Sequence, residues 1–567
     1  MAPPFLIRHV ATTVILLALA LAPGAAAAWD LPWTDGEVAL DVTDTFTYTY
    51  FFNNDPREYL PNQRDDQLDR LHDDKFHQIF NKLDVTLSMG EVRVGARLDL
   101  HLFADTPFAQ HCGADKPPSW CKPEFAHIRY NNTFAAEQLY LLITRPSFDL
   151  TLGDFYASFG KGIALHVVQL DEVGQDTTIR GGKMHIHQGN LGFIFLAGVF
   201  NALELDKLSG YDAPWADEPV LGARLEYRVL DAAILGAHTV WVLREDSSKT
   251  SDAEHDAIWG VGFDVPDLWD GLLSLSGELN FRQTVAGGEL VRGPGREGEG
   301  LDGVAAYASA TLNVWDLTAL AEFKYYNEFA LISVDERPYS HMYHLPPTLD
   351  RKKAEIKEGN SDVTGFRLGL DYALGELGPV ELVLMANYGY FESWERETEV
   401  FPADYSIHSA YGGFELSWAE GTGQLNANAG MRRMHDNIND ELFHDVVHLE
   451  VSVDQAFGNH GIGARFLLLD KAFRVVMLNE WQELEASLSY SWSPYLTVSL
   501  TYERQEDPSL EPEPLNLFGA SIRGYITGAT YVNLRIGENR AGVKCLNGIC
   551  RQVPAFSGVE ATLVVRY

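Results

Sequence analysis

The sequence predicts an all-β chain that closes into one large antiparallel transmembrane barrel. Three observations lead to this prediction. Apolar and polar side chains alternate over about ten residues at a time, the connections between these stretches are long and short in turn, and the only long apolar run stands near the N-terminus. A strand with this alternation has one face in apolar surroundings and the other in water. About ten such residues cross a bilayer at a tilt.

The first 28 residues have the pattern of a cleaved secretory signal. Arg8 precedes an apolar run over residues 10–21, helix breakers follow, and small residues lead up to Ala28. An uncleaved membrane anchor is the alternative, but the apolar run is short and ends in Pro23-Gly24. We therefore expect 1–28 to be a signal peptide and 29–567 to be an exported barrel.

Composition excludes several classes of protein. The 567 residues include 43 Lys and Arg against 80 Asp and Glu, a formal net charge of −37. A nucleic-acid-binding protein needs clustered basic residues, so we expect no nucleic-acid partner. Aromatic residues make up 12% of the chain, which excludes a disordered protein. With one long apolar run, the chain is not a bundle of membrane helices either.

The spacing of the strands gives their number and orientation. A typical strand has Phe366, Leu368 and Leu370 alternating with Arg367 and Gly369. Tight connections, such as those near 89–90 and 189–190, take turns with long polar stretches such as 52–79, 104–135 and 330–361. This alternation of short and long connections predicts short periplasmic turns and long extracellular loops. We count about 24 strands, or roughly 20–24 once errors in the boundaries are allowed.

Four cysteines fall in two of the predicted outer loops. Cys112 and Cys121 share one loop, and Cys545 and Cys550 share the last one. Three connectivities are possible. Short loops close at the least entropic cost and the outer side is oxidising, so we expect the disulfides Cys112–Cys121 and Cys545–Cys550. A metal site is the alternative, but neither spacing is that of a zinc ribbon.

Several segments resemble a known family. They are residues 153–165 and 171–181, together with the tail that runs from Cys545 through Arg551 to Phe556. They resemble an uncharacterised family of bacterial outer-membrane β-barrel proteins, porin-like and of unknown function. The final strand, which ends on Tyr567, is similar to the terminal strand of such barrels, whose last aromatic residue is part of the insertion signal. The resemblance implies the bacterial outer membrane, with its lipid and lipopolysaccharide, and the barrel-insertion machinery as partners. It implies no substrate and no catalytic residue.

The segment 153–183 is the main candidate for a functional site. It is dense in glycine and charge, it follows an odd-numbered strand, and it therefore begins on the outer side. Such a loop can fold inward, and charged constrictions set ion selectivity. The alternative, which the sequence slightly favours, is a salt-bridged structural fold whose glycines make tight turns. The charged candidates are Asp154, Lys161, Asp171, Glu172, Asp176, Arg180 and Lys183.

Signals for an enzyme or a cofactor are weak. His185 and His187 stand two residues apart on a strand, so their side chains share a face. Two histidines supply half of the ligands of a four-coordinate metal site. The sequence offers no third ligand, so a polar pair facing the lumen is the favoured interpretation, and we expect no metal or cofactor. No nucleophile-elbow or zinc-protease motif is present, so we expect no enzyme. A membrane-embedded hydrolase remains open.

The leading functional hypothesis is an outer-membrane channel. A barrel this wide leaves an aqueous lumen unless it is filled, and an acidic lining favours small cationic or neutral solutes. Strand patterning begins near Glu37, so we expect no plug before the barrel. The alternative is a non-conducting structural, adhesion or receptor barrel whose long loops bind partners.

Overall fold

The computed structural model describes most of the chain between Trp29 and Arg566. The described residues are 29–30, 38–52, 76–105, 132–170, 175–203, 219–229, 232–243, 254–286, 289–290, 303–327, 329, 362–376, 378–393, 404–474, 479–506, 514–539, 542–546, 549–553 and 556–566. None of these segments forms a helix with the length and apolar character that a membrane span requires.

The described strands confirm the all-β prediction. The main sheet contains 27 strands, and three of them are two-residue additions at Trp29–Asp30, Gln169–Leu170 and Glu289–Leu290, which leaves 24 long strands. Numbered in chain order, the long strands are β1 (Val38–Phe51), β2 (His77–Met89), β3 (Val92–Ala104), β4 (Thr133–Arg145), β5 (Phe148–Phe155), β6 (Gln175–Gln188), β7 (Leu191–Leu203), β8 (Pro219–Val229), β9 (Ala233–Leu243), β10 (Glu254–Leu268), β11 (Leu273–Ala286), β12 (Gly303–Val314), β13 (Leu317–Asn327), β14 (Val363–Glu376), β15 (Val380–Ser393), β16 (Tyr405–Trp418), β17 (Gly423–Asp436), β18 (Glu441–Phe457), β19 (His460–Phe473), β20 (Asn479–Trp492), β21 (Leu496–Gln505), β22 (Leu515–Tyr525), β23 (Tyr531–Asn539) and β24 (Phe556–Arg566). Two small hairpins lie outside the main sheet, Ala157–Phe159 with Leu165–Val167 and Gly542–Leu546 with Ile549–Val553.

The sheet closes on itself. Each long strand pairs antiparallel with its neighbours along the chain, and β1 pairs with β24 from Thr43 opposite Arg566 to Phe51 opposite Gly558. β24 also pairs with β23, so the last strand has a partner on both sides. Closure removes the free sheet edges that hydrocarbon could not hydrogen-bond. The predicted single barrel and the best count of 24 strands are therefore confirmed.

The connections alternate as predicted. Every connection after an even-numbered strand is short, for example residues 90–91, 189–190 and 315–316. The long connections all follow odd-numbered strands, and the longest lies between Asn327 and Val363. All the long connections therefore stand at one end of the barrel, and they share that end with two shorter connections, residues 437–440 and 474–478.

The two faces of the barrel differ in chemistry. Along β14, Phe366, Leu368 and Leu370 are exposed on the outside. On the inside of the same strand, Arg367 donates to Glu322 of β13 over 2.8 Å. Large exposed apolar side chains recur on the outer face of almost every strand, which is the pattern of a surface covered by lipid.

Candidate functional site: the lumen hairpin

After β5 the chain turns into the barrel. Residues 156–170, which we call the lumen hairpin, contain the paired strands Ala157–Phe159 and Leu165–Val167. The amide of Gly162 donates to the carbonyl oxygen of Phe159 over 2.9 Å and closes the tip. Gly160 has a φ of +56° there, and a Cβ on it would lie 1.9 Å from Glu278 Oε2. Glycine is needed at this position both for its backbone conformation and for its close approach to the wall.

Apolar packing holds the lumen hairpin against the inner wall. Its side of the contact consists of the fully buried Phe159, Ile163 and Leu165. These side chains belong to one cluster with inward-facing wall residues of β6 to β10, namely Ile179, Leu196, Phe200, Val220, Val240, Val242 and Ile258. The same cluster continues along strands β12 to β18, for example through Tyr326, Ile407 and Met434, so the hairpin packs against one part of a longer apolar surface.

Polar contacts fix the base of the lumen hairpin. The Lys183 ammonium of β6 donates to the carbonyl oxygen of Tyr156 over 2.8 Å, and it lies over the Phe155 ring at 5.4 Å from the centroid. The Gln138 amide of β4 donates to the Tyr156 hydroxyl over 2.8 Å. That hydroxyl donates in turn to Gln169 over 3.3 Å. The hairpin is thus attached to strands on both sides of β5.

The tip reaches the wall at β10 and β11. The Lys161 ammonium is 3.5 Å from Asp264 Oδ2, and the Lys161 amide donates to Glu278 Oε2. Glu278 is buried, and its other oxygen accepts from Asn280 over 2.8 Å. Asn280 Oδ1 lies 2.7 Å from His238 Nε2, so the carboxylate is held in a buried polar network.

Two of the predicted charged residues pair away from the lumen hairpin. Arg180 donates to Asp154 through Nε over 3.0 Å and through Nη2 over 3.2 Å. Side chains alternate between the two faces of β6, so Arg180 points to the same outer face as Met184. Lys183 points to the inner face. Asp154 also accepts from the amide of Leu139 over 2.7 Å. This pair ties β4, β5 and β6 together.

Among the four predicted charged residues whose side chains are described, Lys161, at the tip of the lumen hairpin, contacts the wall, and Lys183 contacts the base of the hairpin. Asp171 and Glu172 lie outside the described residues, and Asp176 is described only in its backbone.

The other predicted features are covered only in part. The signal segment 1–28, Cys112, Cys121 and Tyr567 lie outside the described residues. In the hairpin of Gly542–Leu546 and Ile549–Val553, the backbone of Cys545 pairs with that of Cys550. The side chains of these two cysteines are not among those that the structure describes. The two disulfides stay predictions.

Sequence reasoning missed a third group beside the histidine pair. Asp149 of β5 stands opposite His185 in the ladder, and its Oδ2 is 3.0 Å from His187 Nε2. The His185 and His187 rings are 3.8 Å apart between centroids. Asp149 is distant in sequence from both histidines, and only the register of β5 against β6 reveals the contact.

Residues 479–567, which contain β20 to β24, match the family described as "Family of unknown function (DUF6029)". The expected family resemblance is confirmed. The matched part includes the tail from Cys545 to Phe556 and does not include the segment 153–181. No curated protein matches the chain.

Solved barrels are similar to this chain at low identity. A BenF-like porin from Pseudomonas fluorescens Pf-5 is 12% identical with a TM-score of 0.36, over 73% of this chain and 97% of that one. OccK5 (OpdH) of Pseudomonas aeruginosa is 13% identical with a TM-score of 0.35, over 71% and 94%. The siderophore receptor PirA of Pseudomonas aeruginosa is 7% identical with a TM-score of 0.43, over 93% and 80%.

Proposed function

We propose that the protein is a channel of the bacterial outer membrane for small hydrophilic solutes, and that the lumen hairpin narrows its passage from one side. The observation that carries the proposal is the combination of a closed barrel, an apolar outer face and an inward hairpin that apolar packing and polar contacts hold against the inner wall. Lipid and lipopolysaccharide are the proposed surroundings of the outer face. The predicted signal segment and the terminal Tyr567 support export and insertion by the barrel machinery.

The width of the barrel is the reason that a narrowing element matters. Neighbouring strands are about 4.8 Å apart and tilt by about 40°, so 24 strands give a backbone radius of about 24 Å. An unobstructed lumen of this size would not discriminate between small solutes. The lumen hairpin covers the wall from β6 to β11, which puts charged groups into the passage on that side.

The charges around the hairpin favour cationic or neutral solutes only weakly. The described charged groups nearest to the hairpin and to the histidine pair include both acids and bases. The acids are Asp149, Glu226, Asp264 and Glu278, and the bases are Lys161, Lys183 and Arg224. Because most of these groups are paired, the field in the passage is small, and we propose a modest cation preference rather than a strict one.

Single-channel recording in planar bilayers tests this proposal. The purified protein is expected to give a steady ion current with a reversal potential that indicates mild cation preference. A variant in which residues 157–167 are replaced by a short Gly-Ser linker is expected to carry a larger current. Absence of current at any voltage in both proteins would contradict the channel and would favour the sealed structural or adhesion barrel.

A further inference from the structure

A second cluster stands on the inner wall near the short-turn end of β5 and β6. It consists of Asp149, His185 and His187, whose candidate ligand atoms all lie within 4.8 Å of one another. We propose that these three side chains bind a divalent transition-metal ion such as Zn²⁺. This proposal concerns binding alone and does not rest on the barrel being a channel.

The strands hold the three side chains in place. His185 and His187 point to the same face because strand side chains alternate, and Asp149 is the direct ladder partner of His185. The amide of His187 donates to the carbonyl oxygen of Ser147 over 2.8 Å, which extends the pairing of β6 to the turn before β5. A site on paired strands is more rigid than one on a loop.

The donor set selects the class of ion. Two imidazoles and one carboxylate suit zinc and its neighbours in the first transition row, whereas calcium and magnesium take oxygen ligands. Donor atoms around tetrahedral zinc stand about 3.3 Å apart, because each lies about 2.0–2.1 Å from the ion. The separation of 3.0 Å between His187 Nε2 and Asp149 Oδ2 is within a few tenths of an ångström of that spacing, and the His185 ligand atom lies within 4.8 Å of both. Three protein ligands leave one position open to the lumen.

A fourth group borders the same space. Gly192 of β7 stands opposite His187 on one side and Glu226 of β8 on the other. A Cβ on Gly192 would be 3.4 Å from His185 Nε2 and 3.6 Å from Glu226 Oε2. The missing side chain therefore leaves a gap between an imidazole and a carboxylate. Arg224 holds the other oxygen of Glu226 at 2.7 Å, which leaves Oε2 for the gap.

Neighbouring cations have other contacts. The Lys183 ammonium shares a face with the histidines, but it donates to the carbonyl oxygen of Tyr156 at the base of the lumen hairpin. The Arg224 guanidinium contacts Glu226. Both contacts keep the positive groups on the rim of the cluster, and they leave the Asp149 carboxylate facing the two imidazoles.

Titration of the purified, detergent-solubilised barrel with ZnCl₂ tests the site, and CoCl₂ absorption spectra report the coordination geometry. The unmodified protein is expected to bind Zn²⁺ and to give the visible bands of tetrahedral Co²⁺. His187→Asn and Asp149→Asn are each expected to weaken this binding by about 100-fold or more, and Glu226→Gln by about 10-fold.

The matched control is His408→Asn with His435→Asn. These two rings form a histidine pair with centroids 6.4 Å apart on neighbouring strands, and within the described residues they belong to no candidate metal cluster. The control is expected to bind Zn²⁺ like the unmodified protein, and circular dichroism confirms that each variant retains its strands. Binding that is unchanged in Asp149→Asn, or equally reduced in the control, would overturn the proposal, as would a protein that binds no Zn²⁺.

Discussion

Truncation of Phe159 to alanine is expected to release the lumen hairpin without opening the barrel. The ring is fully buried, it packs beside His238 at 6.0 Å between ring centroids, and it covers the small surface left by Gly222. Loss of a buried phenylalanine costs about 3–5 kcal/mol. At about 1.4 kcal/mol for each factor of ten, the ratio of docked to undocked hairpin falls by roughly a hundred-fold to a few thousand-fold.

The remaining anchors gain no strength when the ring is removed, so the whole loss falls on the docking equilibrium. The hydrogen bonds at Tyr156 and at the Lys161 amide contribute about 1–3 kcal/mol each, and they depend on the docked geometry. The strands of the barrel are paired to one another independently of the hairpin.

Conductance and limited proteolysis are the measurements for Phe159→Ala. We expect a larger or noisier single-channel current and faster cleavage within 156–170, with unchanged thermal unfolding of the barrel. Trp315→Ala is the matched control, because that aromatic ring is 98% exposed in a short turn. If the current and the cleavage rate of Phe159→Ala equal those of the control, the hairpin is not held by this apolar packing and the reasoning fails.

Two further predictions test the placement of the wall residues. Arg180→Gln is expected to lower the stability of the barrel by about 1–3 kcal/mol, because the buried Asp154 carboxylate loses the positive charge that pairs with it and keeps only neutral donors. Thermal unfolding measures this loss. The ion selectivity of the channel is expected to stay the same, and altered selectivity would place Arg180 in the passage. Thr47→Cys with Thr562→Cys is expected to form a disulfide across the seam of the barrel on mild oxidation, since the two hydroxyl oxygens are 3.4 Å apart. Gel migration detects this cross-link, Thr47→Cys with Leu563→Cys is the opposite-face control, and failure of the first pair to form the bond would refute the closed seam.

The fold could be predicted because a membrane barrel repeats one local rule along the whole chain. Each strand must carry an apolar outer face, as Phe366, Leu368 and Leu370 do, and each short turn must return the chain to the same side. Errors of a few residues at the ends of individual strands do not alter the alternation of short and long connections. β6 begins at Gln175, earlier than its alternating pattern suggests, and the count of 24 is unaffected.

The candidate site could be predicted only in outline. The glycines and charged residues of 153–183 indicated an unusual segment. The pattern did not show that Lys161 reaches the inner wall at β10 whereas Arg180 points to the outer face and pairs with Asp154. Contacts such as Lys161 with Asp264, or Asp149 with His187, join residues far apart in sequence. They depend on the register and curvature of several strands, and a single sequence does not encode these in any local pattern.

One local signal for the docked hairpin does exist. Residues 193–200 of β7 read Phe-Ile-Phe-Leu-Ala-Gly-Val-Phe, so this strand is apolar on both faces, unlike the alternating strands that face water. Phe195 is exposed outward, whereas Leu196 and Phe200 point inward and pack in the cluster of the lumen hairpin. In a barrel with a wet lumen, an apolar inner face must be covered by protein. Strands that lose their alternation therefore indicate where an inserted segment docks, and here they lie beside the segment that is inserted.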